Sequence, residues 1–219
     1  MKNVSLLLTY AALAFTALLP VINPIGSAVI FLGFVEGVDQ ETRKVLARRI
    51  AFNTIVFLGV VLLAGTQVLH FFGISLPIVQ IAGGLVISML GWKVLNEDAD
   101  TTSGPRASAS AASIADKVFY PFTFPLTAGP GCMVVVLTLS AHALKLTLGE
   151  TVLAHAGMLI GIALGGVIIY FSYAYAHKLT ARLSGTIAQS IVRVLAFILV
   201  CIGAQISWNG IETLIRSLR

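Results

Sequence analysis

Charged residues are scarce in this 219-residue sequence. Asp, Glu, Lys and Arg together make up 11% of it, whereas they make up roughly 25% of an ordinary soluble domain. Four runs contain no such residue at all: 3–35, 50–92, 118–144 and 151–177. Each run exceeds the ~20 apolar residues that cross the ~30 Å core of a bilayer as a helix. This pattern excludes a soluble protein and predicts an integral membrane protein.

Cysteine and chemically reactive motifs are also scarce. The two cysteines, Cys132 and Cys201, lie in apolar runs, where they are most simply small buried side chains rather than a disulfide framework. The sequence has no His-Glu-x-x-His motif, no activated-serine motif and no carboxylate pair within an apolar run. It therefore predicts neither a metal site nor a cofactor, and it argues against an enzyme.

The apolar runs divide into six predicted crossings. The run 50–92 is too long for one crossing, and segment 72–77 (Phe-Gly-Ile-Ser-Leu-Pro) predicts a turn in its middle. The first run stays apolar to Phe34, so we expect a retained membrane helix rather than a cleaved leader. A last crossing near the end of the sequence is interrupted only by Arg193. The predicted crossings are 5–34, 50–71, 77–95, 119–141, 153–175 and 187–211.

The basic residues are distributed unevenly between the two sides of these crossings. Lys and Arg accumulate in cytoplasmic loops. One side carries nine of them, namely Arg43, Lys44, Arg48, Arg49, Lys93, Arg106, Lys117, Lys178 and Arg182. The other side carries four, namely Lys2, Lys145, Arg216 and Arg219. This asymmetry predicts that both termini lie outside the cytoplasm, and it accounts for the net charge of +5 without a nucleic-acid partner.

The two halves of the chain resemble each other, as expected after a duplication. Residues 97–117 are polar, small and of low complexity, which predicts a cytoplasmic linker between two halves, 1–96 and 118–219. Segment 20–26 (Pro-Val-Ile-Asn-Pro-Ile-Gly) matches segment 125–131 (Pro-Leu-Thr-Ala-Gly-Pro-Gly) in its first proline and last glycine. Each half holds three crossings, so the second half must enter the membrane from the opposite face. The predicted fold is an all-α integral membrane protein of two inverted-topology three-helix repeats.

Proline is concentrated where the first and fourth crossings are predicted. Five of the seven prolines lie in these two crossings, namely Pro20, Pro24, Pro121, Pro125 and Pro130. A proline costs ~3 kcal/mol in a helix interior, and a break within the membrane is tolerated only beside protein or water. One such proline would suggest a simple kink. Proline breaks at corresponding places in the two halves favour discontinuous first and fourth helices that form a binding centre.

The chemistry of these breaks suggests what they bind. Asn before Pro24 and Gly before Pro130 are typical of helix starts, where freed backbone amides and the helix dipole hold an anionic group such as a carboxylate. We expect the freed amides near Gly26, Ser27, Gly131 and Cys132. The candidate binding residues are Asn23, Pro24, Gly26, Ser27, Thr127, Gly129, Pro130 and Gly131.

The two segments resemble motifs of a known family. Asn23-Pro24-Ile25-Gly26 with Phe31 resembles the first-helix motif of the MarC family of six-helix inner-membrane proteins, also described as neutral amino acid transporters. Segment 125–131 resembles the fourth-helix motif closely. The resemblance covers nearly the whole chain and departs at Val29, where family members often have a proline. It implies an inner-membrane protein whose two motifs meet at mid-membrane and bind a small neutral amino acid such as glycine or alanine.

Several assignments stay open. Asn53 and Gln205 are further candidates for the binding site, beside the alternative that they only bond between helices. No carboxylate falls well inside a crossing, so sodium, a proton held by other groups, and no coupling ion are all compatible with the sequence. The rival functions are an exporter or a channel for another small solute and, with less support, a membrane-embedded enzyme or a scaffold.

The small and the polar residues near the crossings make further predictions. Gly157, Gly161 and Gly165 recur on one face of the fifth crossing and predict close helix packing. That packing is compatible with a contact within the chain, a contact between subunits of a homo-oligomer, or a surface that slides during transport. Segment 39–49 starts with acidic and ends with basic residues, which predicts a helix that continues into the second crossing. Its surface is expected to contact solvent or lipid headgroups, with a regulatory lipid site as the alternative. The histidines His70, His142, His155 and His177 all lie near predicted membrane ends.

Overall fold

The computed structural model describes residues 2–35, 37–96, 118–144, 147–178 and 185–218, and these are helical apart from short turns. The first half contains α1 (Lys2–Ile22), α2 (Pro24–Phe34), α3 (Gln40–Phe71) and α4 (Leu76–Asn96). The second half contains an irregular segment, Val118–Thr127, followed by α5 (Pro130–Ala143), α6 (Leu148–Ala174) and α7 (Gly185–Ser217). The predicted linker, residues 97–117, lies outside the described residues.

The helix lengths fit a multi-pass membrane protein. Among the described residues, five helices are long and apolar enough to cross a bilayer, and the segment Val118–Thr127 with Pro130–Ala143 makes a sixth span that is bent by 65°. The first and fourth predicted crossings are therefore discontinuous, as the prolines indicated, because α1 ends at Ile22 and α2 begins at Pro24. The inverted relation between the halves stays a prediction.

α3 begins at a cap that was not predicted and ends at the turn that was. Asp39 caps the helix by accepting hydrogen bonds from the Thr42 amide at 2.9 Å and the Thr42 hydroxyl at 2.6 Å. These bonds, the hydroxyl one first, hold the pKa of Asp39 below its ordinary value. At the other end the chain turns through Gly73, whose φ of 67° favours glycine, before α4 begins at Leu76.

Glycine allows close packing of the helices within the chain. At Gly84 of α4, an added Cβ atom would overlap with the Gly203 carbonyl and the Ser207 side chain of α7. At Gly157 and Gly161 of α6, it would overlap with the backbone of α1. Small residues at such crossings let helix backbones approach closely in a membrane. The glycine face predicted for the fifth crossing therefore packs within the chain, and it places α6 beside both α1 and α3.

The outer surface is as apolar as a bilayer requires. Large side chains such as Phe52, Leu63, Trp92 and Phe197 expose more than half of their surface, which suits contact with lipid rather than water. Arg193 is also exposed, so its charge lies outside the packed core. The core lies inside the bundle, where α1, α2, α3, α5 and α6 meet.

Candidate functional site

The first break is built around Asn23. This residue adopts a left-handed conformation, with φ of 46°, which asparagine tolerates better than most residues. Its side-chain oxygen accepts a hydrogen bond from the Gly26 amide at 3.2 Å and so caps α2, which begins at Pro24. A side chain at position 26 would collide with the Asn23 amide group and displace it from this cap. The Ser27 hydroxyl donates to the Ile22 carbonyl at 2.8 Å, across the break.

The second break is longer. The residues before Pro121 and Pro125, Tyr120 and Phe124, are extended rather than helical, because a following proline disfavours the helical conformation. Both prolyl peptide bonds are cis. The chain becomes regular again at Pro130, after Gly129 at the N-cap position.

Threonine hydroxyls satisfy carbonyl groups along this irregular segment. Thr123 donates to the Val118 carbonyl at 2.8 Å, and Thr127 donates to the Phe122 carbonyl at 2.6 Å. Each hydroxyl reaches back five residues, as Ser27 does in the first break. Buried carbonyls without a donor are costly in a membrane, so these hydroxyls help to make the breaks tolerable.

The two breaks meet at one tyrosine of α6. The Tyr173 hydroxyl lies 2.8 Å from the Thr127 hydroxyl and also interacts with the Ser27 side chain. The single hydrogen of Thr127 is donated to the Phe122 carbonyl, so Tyr173 donates to Thr127. The Tyr173 ring stacks on Phe31, with ring centroids 4.7 Å apart. We call Ser27, Phe31, Phe122, Thr127 and Tyr173 the central cluster.

The central cluster is closed to water. None of its five side chains exposes more than 5% of its surface. Phe122 packs edge-on against Phe31, with centroids 5.5 Å apart, and completes an aromatic wall around the hydroxyls. Open cavities lie instead toward the two ends of α3, one of about 420 Å³ beside His70 and one of about 540 Å³ beside Arg43. The centre is therefore occluded, and neither cavity is lined by a residue of the central cluster.

The predicted site residues fall into three groups. Ser27 and Thr127 lie in the central cluster. Six others lie at the two backbone breaks, namely Asn23, Pro24, Gly26, Gly129, Pro130 and Gly131, the last of which packs on Val21 of α1. Asn53 is half-buried on α3, and Gln205 is exposed on α7, where it donates to Asn209 at 2.9 Å.

The expectation of freed amide groups was wrong for most of the positions named. The Gly26 amide is capped by the Asn23 side chain, the Ser27 amide donates to the Asn23 carbonyl at 2.9 Å, and the Cys132 amide donates to the Gly129 carbonyl at 3.0 Å. Asparagine and glycine at the N-cap positions satisfy these donors locally. A carboxylate that binds at α2 must therefore displace the Asn23 side chain from the Gly26 amide.

Tyr173 was not predicted, although a signal for it exists. Positions 157, 161, 165, 169 and 173 recur every four residues along α6, and all five are buried. The glycine face of this helix was recognised from the sequence, and its continuation leads to Tyr173. Among the described residues no three His, Cys, Asp or Glu side chains converge as a metal site would require.

Comparison with known proteins agrees with the helices and the breaks described here. A family model described as "MarC family integral membrane protein" matches residues 8–215, which includes both broken helices and α6. The chain belongs to the MarC family. The resemblance seen in segments 23–26 and 125–131 is thereby confirmed.

Relatives within the MarC family match almost end to end. The inner membrane proteins MarC of Escherichia coli K12 and of Shigella flexneri are each 29% identical to this chain over 212 residues, which is 94% of this chain and 95% of the relative. Their names place them in the inner membrane, and the multi-pass helical structure of this MarC-family protein agrees with that location. No solved structure matches the chain.

Proposed function

We propose that this protein carries small neutral amino acids across the inner membrane by alternating access, with the central cluster as its substrate-binding centre. The observation that carries the proposal is the meeting of two broken helices at Tyr173, in the occluded core of the bundle. Discontinuous helices near the middle of the membrane are typical of transporter binding sites. The proposal is of a transporter rather than of an enzyme.

The chemistry of the central cluster favours a neutral substrate. Ser27, Thr127 and Tyr173 offer hydroxyl groups that could bond the amino and carboxylate groups of an amino acid, once the cluster opens. The cluster contains no charged side chain, so a charged substrate side chain would be buried there without a partner, at high cost. Phe31 and Phe122 limit the space beside the hydroxyls, which favours glycine and alanine over larger amino acids.

The pairing of the helices supports the alternating-access part of the proposal. α4 packs along α7, and α3 packs along α6. α1 packs on α6, while the second broken span packs on α3. An inverted duplication in which α1 with α2 corresponds to the second broken span, α3 to α6 and α4 to α7 would produce these pairs. Two such halves can exchange conformations and open the centre to either side.

Uptake into proteoliposomes tests the function directly. We expect radiolabelled glycine and alanine to enter vesicles that contain the purified protein faster than they enter empty vesicles. Labelled lysine and glutamate are expected to remain outside, because the centre has no partner for their charges. Uptake equal to that of empty vesicles for every small neutral amino acid would contradict the proposal.

Asn23→Gly tests whether the first break takes part in transport. Glycine tolerates the left-handed backbone at this position but removes the side chain that caps Gly26. We expect normal expression and roughly two-fold slower glycine uptake, because replacing an Asn N-cap by glycine costs only a few tenths of a kcal/mol. Asn23→Ala should lower uptake as well.

The matched control for this variant is Asp39→Gly. Asp39 caps α3 through the amide three residues ahead, as Asn23 caps α2, but it lies outside the central cluster. We expect Asp39→Gly to change uptake little. Equal rates for wild type and Asn23→Gly would mean that the Asn23 cap is only architectural.

A further inference from the structure

A hydrogen-bonded chain of three groups joins α3, α5 and α6 at a distance from the central cluster. The buried Ser140 hydroxyl of α5 lies 3.2 Å from the Leu62 carbonyl of α3 and 3.1 Å from Nε2 of His155 on α6. Nδ1 of His155 lies 2.8 Å from the Thr151 carbonyl, one turn back on α6. Ser140 exposes only 1% of its surface, while His155 is half-buried.

The Thr151 carbonyl determines which imidazole nitrogen carries the hydrogen. A carbonyl oxygen only accepts, so Nδ1 of His155 must donate to it. In the neutral imidazole, Nε2 is then the unprotonated nitrogen and an acceptor toward Ser140. The Leu62 carbonyl is also an acceptor toward Ser140. The Ser140 hydroxyl has one hydrogen and faces two acceptors, so it cannot donate to both.

A proton on His155 removes this conflict. Protonated Nε2 becomes a donor to the Ser140 oxygen, and the Ser140 hydrogen is then free to serve the Leu62 carbonyl. One added proton therefore completes a chain of hydrogen bonds from α6 through α5 to α3. Because Nε2 donates to a hydroxyl oxygen when charged, the added bond is charge-assisted and stronger than a neutral one.

Of the three hydrogen-bonded groups, His155 is the one that takes up the proton. Among the side chains that the structure describes, the titratable groups at this end of the elements packed there are Tyr10 of α1, His70 near the end of α3, His142 near the end of α5, and Glu150 in the first turn of α6. Glu150 is engaged with the Thr147 hydroxyl at 2.7 Å. His142 bonds through Nδ1 to the Thr138 carbonyl of its own helix at 2.7 Å.

We propose that His155, Ser140 and the Leu62 carbonyl form a proton-binding site that locks α3, α5 and α6 together and binds the coupling proton of the transporter. This inference rests on the proposed function. His155 and Tyr173 lie about 27 Å apart along α6, at ~1.5 Å per residue, so the coupling acts through the rigid helices rather than by contact. The proton favours whichever state of the bundle keeps the three helices joined.

Accumulation driven by a pH difference tests the coupling. With the membrane potential clamped at zero, a difference of one pH unit drives about a ten-fold accumulation of substrate for one proton per substrate. We expect wild-type protein to approach this value in one direction of the gradient. His155→Gln is expected to give no accumulation, because glutamine keeps hydrogen-bonding groups but does not titrate.

His142→Gln is the matched control, because His142 makes the same bond to its own helix but bonds to no serine in the part of the chain that the structure describes. It should accumulate substrate as wild type does. Accumulation by His155→Gln equal to that of wild type would overturn the proposal, and so would an equal loss in His142→Gln. Accumulation by the wild-type protein that does not depend on the pH difference would overturn the proposal as well.

A measurement without transport separates this inference from the proposed function. In ¹⁵N NMR spectra of histidine-labelled protein in nanodiscs, neutral His155 should carry its hydrogen on Nδ1. Its titration should move in Ser140→Ala, while that of His142 stays in place. A hydrogen on Nε2 of neutral His155, or a titration that Ser140→Ala leaves unchanged, would overturn the proton site. Failed amino acid uptake with the expected spectra would instead contradict only the proposed function and its coupling.

Discussion

Gly84→Leu is expected to prevent the formation of a stable, monodisperse protein, and Gly84→Ala is expected to destabilise it. A Cβ atom at this position meets the backbone of α7, namely the Gly203 carbonyl and the Ser207 amide, which cannot move without shifting the whole helix. Overpacking of this kind costs about 1–3 kcal/mol even for small additions. For a chain of this size that corresponds to a melting temperature lower by roughly 2–12 °C.

The measurement is a thermal melt of the detergent-solubilised protein, followed by size-exclusion chromatography. Gly149→Ala is the control, because an added Cβ there meets none of the described residues within 4 Å. It should melt at or slightly above the wild-type temperature, since alanine is the better helix former. A Gly84→Leu variant with the same melting temperature as the wild type would show that α4 and α7 do not pack as described.

Tyr173→Phe is expected to slow glycine uptake by ten-fold or more while the protein stays folded. The substitution keeps the ring that stacks on Phe31 but removes the hydroxyl that donates to Thr127. A buried group left without its partner costs ~1–3 kcal/mol, and ~1.4 kcal/mol corresponds to a factor of ten. If the proposed centre also uses this hydroxyl to bind substrate, the loss falls on transport rather than on expression.

Initial rates of uptake at matched protein density would measure this effect. Tyr170→Phe is the control, since Tyr170 lies on the same helix, is only half-buried and is not part of the central cluster. Thr127→Val should slow uptake in the same way, and Thr127→Ser should restore much of it because the hydroxyl returns. Uptake by Tyr173→Phe at the wild-type rate would remove Tyr173 from the binding centre.

Much of the local structure could be read from the sequence because its causes are local. Asn before Pro24 and Gly before Pro130 predicted two helix starts, and both helices begin at those prolines. The turn before α4 and the extension of α3 through its charged first turns were predicted from the same kind of signal. The predicted fourth crossing was less accurate, since the stretch that includes Pro121 and Pro125 is irregular over ten residues.

The candidate site was predicted only in part. The sequence singled out Ser27 and Thr127, which lie in the central cluster, but it also offered Gln205, which is exposed on another helix. Polar residues in a membrane helix have similar local surroundings in sequence whether they bond to their own helix, to a neighbour or to a ligand. Asn53 and Gln205 therefore could not be distinguished from Ser27 and Thr127 before the helices were packed.

What the sequence determined by itself is the set of apolar crossings and the positions of the two breaks, because run length, proline and cap residues act on the chain around them. Only the tertiary structure decided which groups meet. Thr127 pairs with Tyr173 across 46 residues, and Ser140 reaches Leu62 across 78. The physical reason is that lipid makes the outer face of a membrane helix as apolar as its inner face. Hydrophobic periodicity therefore does not indicate which side of each helix turns toward the others.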